Sequence, residues 1–182
     1  MPITTLDPHT ALVVIDFQRA IVGMPTVHPM AGLLANAAKL CDAFRKRELP
    51  VVLVNVAGMA PGRTEMNRTF NFPPGWNDLV PELGQQPSDI LVTKYTPGAF
   101  HGTPLDMMLR RKGVTQIVLC GVSTSSGVES TARAAYEHGY NVTFAVDAMS
   151  DLVREVHDNS VQRIFPKLGE TGTTADVLAK LA

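Results

Sequence analysis

Apolar positions along this chain fall into two patterns. Residues 11–15, 51–56, 90–93, 116–120 and 141–146 are short, nearly unbroken apolar runs. Runs of this length read as strands buried on both faces. The stretches between them have helical spacing. Over 30–47, Leu33, Leu34, Ala37, Leu40, Cys41 and Phe44 fall on one face, and Arg45, Lys46 and Arg47 close the segment with the charge a helix C-terminus favours. A helix is predicted over 105–112, with Thr103 as N-cap, Pro104 as first helical residue and Gly113 as its stop. Another, capped at Ser126 or Gly127, is predicted to run to His138 and end at Gly139. Helices are predicted over 153–165 and 174–181, with a short strand near 167–170. The alternation of strands and helices predicts one α/β domain over residues 1–182: a doubly wound, mainly parallel sheet with helices on both faces, a three-layer Rossmann-like arrangement.

Residues 57–87 break the pattern, with Gly58, Pro61, Gly62, Pro73, Pro74, Gly75 and Pro81. A long stretch without regular structure inside a domain is uncommon and usually functional. It also carries Arg63, Arg68, Phe70, Phe72 and Trp76. It reads as a lid or a subunit-contact loop, because its aromatic side chains are costly to leave in water. A homo-oligomer, dimer or tetramer, is therefore expected.

Composition narrows the function. Apolar residues make up 45% of the chain and the formal net charge is −1, without a basic run. Nucleic acid and anionic membranes are not favoured partners, and no apolar stretch approaches the ~20 residues of a membrane span. The N-terminus lacks the pattern of a signal peptide, so a cytoplasmic location is expected. Cys41 and Cys120 lie in apolar segments and read as buried free thiols of a reducing compartment. No His or Cys spacing suggests a metal site, and no cofactor is implied.

The candidate chemistry lies at strand ends. Asp16 ends the first strand, Lys94 the third, and the small-residue turn from Ser123 to Gly127 follows the fourth. Open parallel sheets bind ligands beyond the carboxyl ends of their strands, against the N-termini of the following helices. A carboxylate beside an ammonium forms an oriented proton-transfer group. A helix N-terminus can receive developing negative charge.

Around these positions the chain reads Val14-Ile15-Asp16-Phe17-Gln18, then Thr93-Lys94-Tyr95-Thr96-Pro97-Gly98-Ala99-Phe100, then Cys120-Gly121-Val122-Ser123-Thr124 followed by Val128-Glu129-Ser130-Thr131-Ala132-Arg133. From about Thr10 to about Val177 the chain resembles the isochorismatase-like hydrolases, also called the cysteine hydrolase family, which includes nicotinamidases and carbamoylsarcosine-type amidases. The resemblance implies a small-molecule substrate and a triad of Asp, Lys and Cys, carried over onto Asp16, Lys94 and Gly127. It also implies a cis Val122–Ser123 peptide and an oxyanion site made by the N–H groups of Ser123 and Gly127. Phe17, Gln18, Arg63, Trp76 and Phe100 are candidate substrate-binding residues.

Gly127 departs from the pattern. Glycine cannot form an acyl-enzyme, and losing the nucleophile of a catalytic unit has cost on the order of a million-fold in another hydrolase. Cys120 lies inside a strand, and Ser125 and Ser126 point elsewhere as neighbours on a helix start. Isochorismatases themselves resemble this variant. They cleave a vinyl ether, which needs a proton donor and no thiol. The resemblance then implies Asp16 as the acid and Lys94 as its orienting partner. A nearby Lys⁺ favours the carboxylate, whereas burial favours the neutral acid, so burial must win for this route. The other readings are an inactive member that binds or builds, and a hydrolase of another small substrate. Residues 57–61 lack the histidines of the family's metal-binding subset, which argues against a nicotinamidase.

Overall fold

The computed structural model describes residues 2–65 and 73–181. Arg68, Phe70 and Phe72 lie outside the described residues. Six parallel strands form one sheet in the order β3-β2-β1-β4-β5-β6. In chain order these are β1 (Thr10–Ile15), β2 (Val51–Val56), β3 (Ile90–Lys94), β4 (Gln116–Val122), β5 (Asn141–Ser150) and β6 (Glu170–Gly172). The helices are α1 (Arg19–Val22), α2 (Met30–Lys46), α3 (Leu105–Arg111), α4 (Glu129–Glu137), α5 (Arg154–Asn159) and α6 (Thr174–Lys180). The predicted doubly wound α/β architecture is the observed one.

The unbroken apolar runs follow from burial on two sides. Successive side chains of a strand point to opposite faces. On β1, Leu12 and Val14 join a core with Phe44 of α2 and Val177 of α6. Ala11, Val13 and Ile15 join a second core with Leu105 and Leu109 of α3 and Ala132 and Ala135 of α4. All six apolar positions predicted for the face of α2 are buried.

Element ends differ from expectation for local reasons. Pro104 is the N-cap of α3, one residue later than predicted, while Thr103 Oγ1 accepts the Leu105 N–H at 3.2 Å. Gly113 and Gly139 follow their helices with φ of 68° and 80°, the left-handed stop that glycine permits. β4 continues to Val122, and the chain enters a wide helical turn at Thr124 (Thr124–Val128), so Ser126 and Gly127 sit inside that turn rather than capping it. β5 continues across a register shift to Ser150, so Asp147 is not at a strand end. Instead, Asp147 Oδ1 accepts from the N–H and hydroxyl of Thr174 at 2.6 and 2.8 Å, at the start of α6. The predicted 153–165 helix is regular only through Asn159; a wide turn (Ser160–Ile164) and a tight one (Phe165–Lys167) follow it. Pro166, which has no N–H to donate, lies in the tight turn. The final strand is Glu170–Gly172, and Thr173 caps α6 reciprocally with Asp176.

Part of the 57–87 stretch is anchored. The Arg19 N–H donates to the Asp78 carbonyl at 3.0 Å, the Ala20 N–H to Trp76 at 3.0 Å, and the Val80 N–H to Phe17 at 3.1 Å. The segment after residue 73 therefore lies along the chain that leaves β1.

Gly121 sets the spacing at the centre of the sheet. Its φ is 126°, and a Cβ there would stand 2.1 Å from the Ile15 carbonyl oxygen of β1. Backbone cannot yield to that contact. Gly121→Ala is expected to cost at least about 3 kcal/mol, the upper range for overpacking, or to prevent soluble expression. Thermal or denaturant unfolding checks this, and a variant as stable as the parent contradicts it.

Candidate active site

The strand order reverses between β1 and β4, the central pair of the sheet. A crevice opens at such a point beyond the carboxyl ends of the strands. Here it is a cavity of about 380 Å³. Asp16, Lys94, Val122, Ser123 and Gly127 line it, and so does Ser126, contrary to the expectation that it points elsewhere; Ser125 does not. Ile21, Val56, Met59, Ala60 and Pro97 give it apolar walls.

Asp16 leaves β1 in a left-handed conformation, φ 53°. Asp tolerates this region better than most residues, at a cost on the order of 1 kcal/mol. Its N–H still donates to Val54 at 2.9 Å, so the sheet holds the turn in place. Lys94 ends β3 and is 1% exposed. Its side chain crosses the end of β2 and donates to Asp16 Oδ2 at 2.7 Å and to the Thr96 carbonyl at 3.3 Å. Among the described residues, Asp16 Oδ1 is a buried polar side-chain atom with no hydrogen-bond partner. Burial pushes the Asp16 carboxyl up to about 6, against the opposing pull of Lys94. Desolvation therefore outweighs the ion pair, and the neutral acid is accessible near neutral pH.

The turn after β4 forms the third side. The Val122–Ser123 peptide is cis. The Ser125 N–H and hydroxyl both donate to Asp151 Oδ2 at 2.8 Å, and the Thr124 hydroxyl is 2.9 Å from His157 Nδ1. On the other side, Thr131 Oγ1 donates to the Gly127 carbonyl at 2.7 Å and accepts from the Ala99 N–H at 3.0 Å. These contacts fix the backbone from 123 to 127 from both sides. A Cβ on Gly127 would lie 2.9 Å from Ile15 Cγ2 and 3.3 Å from Asp16 Oδ2. The glycine thus leaves open the space beside the acid.

The structure brings together Asp16, Lys94, Val122, Ser123 and Gly127, as the strand-end argument required. It does not bring the five candidate substrate-binding residues into the cavity. Phe17 is fully buried in the core against α2. Gln18 is also fully buried, and its amide exchanges bonds with the Val56 backbone at 3.1 and 2.8 Å, continuing the pairing along β2 past the end of β1. Phe100 packs in the other core, its ring 5.8 Å from that of Tyr140. Arg63 is exposed and Trp76 half-buried, and neither lines the cavity. The strand-end rule applied to β2 and β3 would have found Val56, Thr96 and Pro97. Ile21 and the wall from Met59 to Thr64 carry no readable signal. The Asp151 and His157 supports also went unseen, because residues far apart in the chain supply them.

Comparison with known proteins settles the family. The Isochorismatase domain profile matches residues 10–176. The chain belongs to the isochorismatase family. The isochorismatase family protein YwoC of Bacillus subtilis is 42% identical over 180 residues, covering 94% of each chain. The solved structure of an isochorismatase family protein from Burkholderia thailandensis superposes with a TM-score of 0.93 at 45% identity, covering 97% of each chain. A ureidoacrylate amidohydrolase, RutB of Pseudomonas syringae, is 29% identical over 178 residues, covering 81% of this chain and 73% of its own. The protein is an isochorismatase-family hydrolase. No helix among its described residues is long and apolar enough to cross a membrane.

The space at Gly127 can be probed with a thiol. Burial pushes Cys41 up to about 12 and raises Cys120 as well, and both are fully buried. In Gly127→Cys, the new thiol lines the cavity at a helix start and is expected to react with a thiol reagent well before either native cysteine. The variant is expected to lose about 1–3 kcal/mol of stability through the contact with Ile15. Equal labelling rates at all three cysteines in the folded variant would show that the cavity is closed.

Proposed function

We propose that this isochorismatase-family hydrolase cleaves a small vinyl ether, such as isochorismate, without a covalent intermediate. Asp16 is the general acid, Lys94 its positioning partner, and the N–H groups of Ser123 and Gly127 receive the negative charge that develops on oxygen as the hemiketal collapses. The observation that carries this reading is the buried Asp16 carboxyl. One of its oxygens is held by Lys94 while the other has no partner, and its pKa lies at about 6.

The steps follow from that arrangement. Asp16 transfers its proton to the terminal methylene carbon, leaving an oxocarbenium at the ether carbon. Water adds to that carbon and returns a proton to the Asp16 carboxylate. The hemiketal then collapses, releasing an alcohol and a ketone, which for isochorismate are the diol and pyruvate. Lys94 holds Oδ2 throughout, so the carboxylate formed in the first step is stabilised in place. Gly127 supplies no nucleophile, and its missing side chain leaves the room that water or substrate needs beside Asp16.

The second reading is amide hydrolysis. It is favoured by the similarity to a ureidoacrylate amidohydrolase. It lacks a nucleophilic side chain at position 127. An inactive binding protein is the third.

A pyruvate-release assay with isochorismate, run beside an amide panel, separates these. For the vinyl-ether route, kcat/KM is expected to fall toward tenfold per pH unit above about 6, because the free enzyme must hold the Asp16 proton. Asp16→Asn is expected to lower kcat by at least ~100-fold, the lower range for a general acid. Activity that rises with pH through this range, or equal turnover by Asp16→Asn, would exclude Asp16 as the acid.

Homo-oligomerisation belongs to the same proposal. Its support is an apolar surface at the start of α5, where Leu152, Val153 and Val156 are each at least 40% exposed. Sedimentation at micromolar concentration is expected to show a dimer or larger. A monomer contradicts this.

A further inference from the structure

The charge inventory of the cavity is short. Among the described residues that line it, Asp16 and Lys94 are the only ionisable groups, and they are paired. The end of β2 contributes Val56, the turn after β4 contributes Ser123, Ser126 and Gly127, and the stretch after β2 contributes Thr64. His157 and Asp151 contact Thr124 and Ser125 and do not line the cavity.

This gives the site two charge states. With Asp16 ionised, the pair is neutral. With Asp16 protonated, the cavity holds the uncompensated positive charge of Lys94. An arriving carboxylate is repelled by Asp16 in the first state and attracted by Lys94 in the second. The geometry allows the second state without breaking the pair, because Oδ2 stays with Lys94 while Oδ1, which has no partner, can hold the proton.

We infer that this site takes a substrate bearing a carboxylate and takes up one proton at Asp16 as that substrate binds. The inference rests on the proposed role of Asp16 as proton carrier, and it adds the charge of the substrate. Burial already holds the Asp16 carboxyl at about 6. A neighbouring anion raises it further, so the acid is loaded by the molecule it is to protonate.

The test uses binding, with benzoate and benzamide as probes of one ring and different charge. Calorimetry at pH 7 in two buffers of different ionisation enthalpy reads the protons taken up. Uptake approaching one proton per benzoate is expected, with affinity weakening toward tenfold per pH unit between pH 7 and 8. Benzamide is expected to bind without proton uptake. In Asp16→Asn, benzoate affinity is expected to be independent of pH. Benzoate binding without proton uptake overturns the inference, as does no benzoate binding at ~10 mM and pH 6. The wild-type measurements decide even if Asp16→Asn does not fold. Proton-coupled benzoate binding without turnover of any vinyl ether would sink the proposed reaction and leave this inference standing. Turnover without proton uptake would do the reverse.

Discussion

A buried ion pair under tension is the constraint on which the rest of this structure depends. Asp16 and Lys94 are both at least 95% buried, and their contact is 2.7 Å. Taking two charges out of water costs several kcal/mol per ion, and their attraction repays this only with good geometry and full hydrogen bonding. Here the hydrogen bonding is incomplete, since Asp16 Oδ1 has no partner among the described residues. The folded state answers by raising the Asp16 pKa from an ordinary 3.8 to about 6. Below the ordinary value both folded and unfolded states hold the proton, and the pair costs least. As pH rises toward 6 the unfolded chain has already released its proton while the folded chain retains it. Above 6 the folded state carries an ionised carboxylate that it holds poorly, and the stability loss is complete. A fold that keeps such a group accepts lower stability at neutral pH, and on the proposed reading it gains an acid held in reserve.

The sheet is what makes that retention possible. β1 and β3 are not neighbours, because β2 lies between them. Lys94 reaches Asp16 only by crossing the end of β2, and Gln18 seals that end by bonding both ways to the Val56 backbone. On the other side, β4 approaches β1 closely because Gly121 has no Cβ. The turn after β4 is then clamped by Asp151 and His157 on one flank and by Thr131 on the other. Each contact is modest alone, typically ~1 kcal/mol for a neutral hydrogen bond. Together they over-determine the backbone around the acid, which is what a left-handed Asp16 requires.

The sequence was legible wherever one physical rule dominated. Burial on two faces produced the unbroken runs, so β1 and β2 could be read almost to the residue. One-sided burial produced the spacing on α2, so its six core positions could be named. The rule that ligands sit beyond parallel strand ends located Asp16, Lys94 and the Ser123–Gly127 turn. Legibility failed where several weak forces compete. Gln18 and Phe17 follow Asp16 directly and carry the right chemistry, but Phe17 has an apolar core to fill and Gln18 has backbone groups of β2 to satisfy. Both needs outweigh the pull of the cavity. Asp147 directly follows the 141–146 apolar run, where a strand-end carboxylate would stand, but the bulge in β5 carries the strand past it. Such a bulge is set by the packing of two neighbouring strands and leaves no local mark.

The glycine at 127 and the proton on Asp16 are best understood as one adaptation on the proposed reading. A covalent route asks Asp16 to act as a base toward a thiol, which requires the ionised carboxylate before the reaction begins. A vinyl-ether route asks for the opposite state, the neutral acid. Any side chain at 127 would place its Cβ 3.3 Å from Asp16 Oδ2 and crowd Ile15 at 2.9 Å. A thiolate there would add negative charge beside the carboxylate, and the neutral acid would then hold its proton as one half of a coupled pair. Glycine removes both the steric pressure and the competing titration. Among the described residues, Asp16 is left with one charged neighbour, Lys94, whose pull is outweighed by burial. Without the thiol, the same strand ends, the same lysine and the same turn support an acid in place of a base, and the sign of the chemistry is set by what position 127 leaves out.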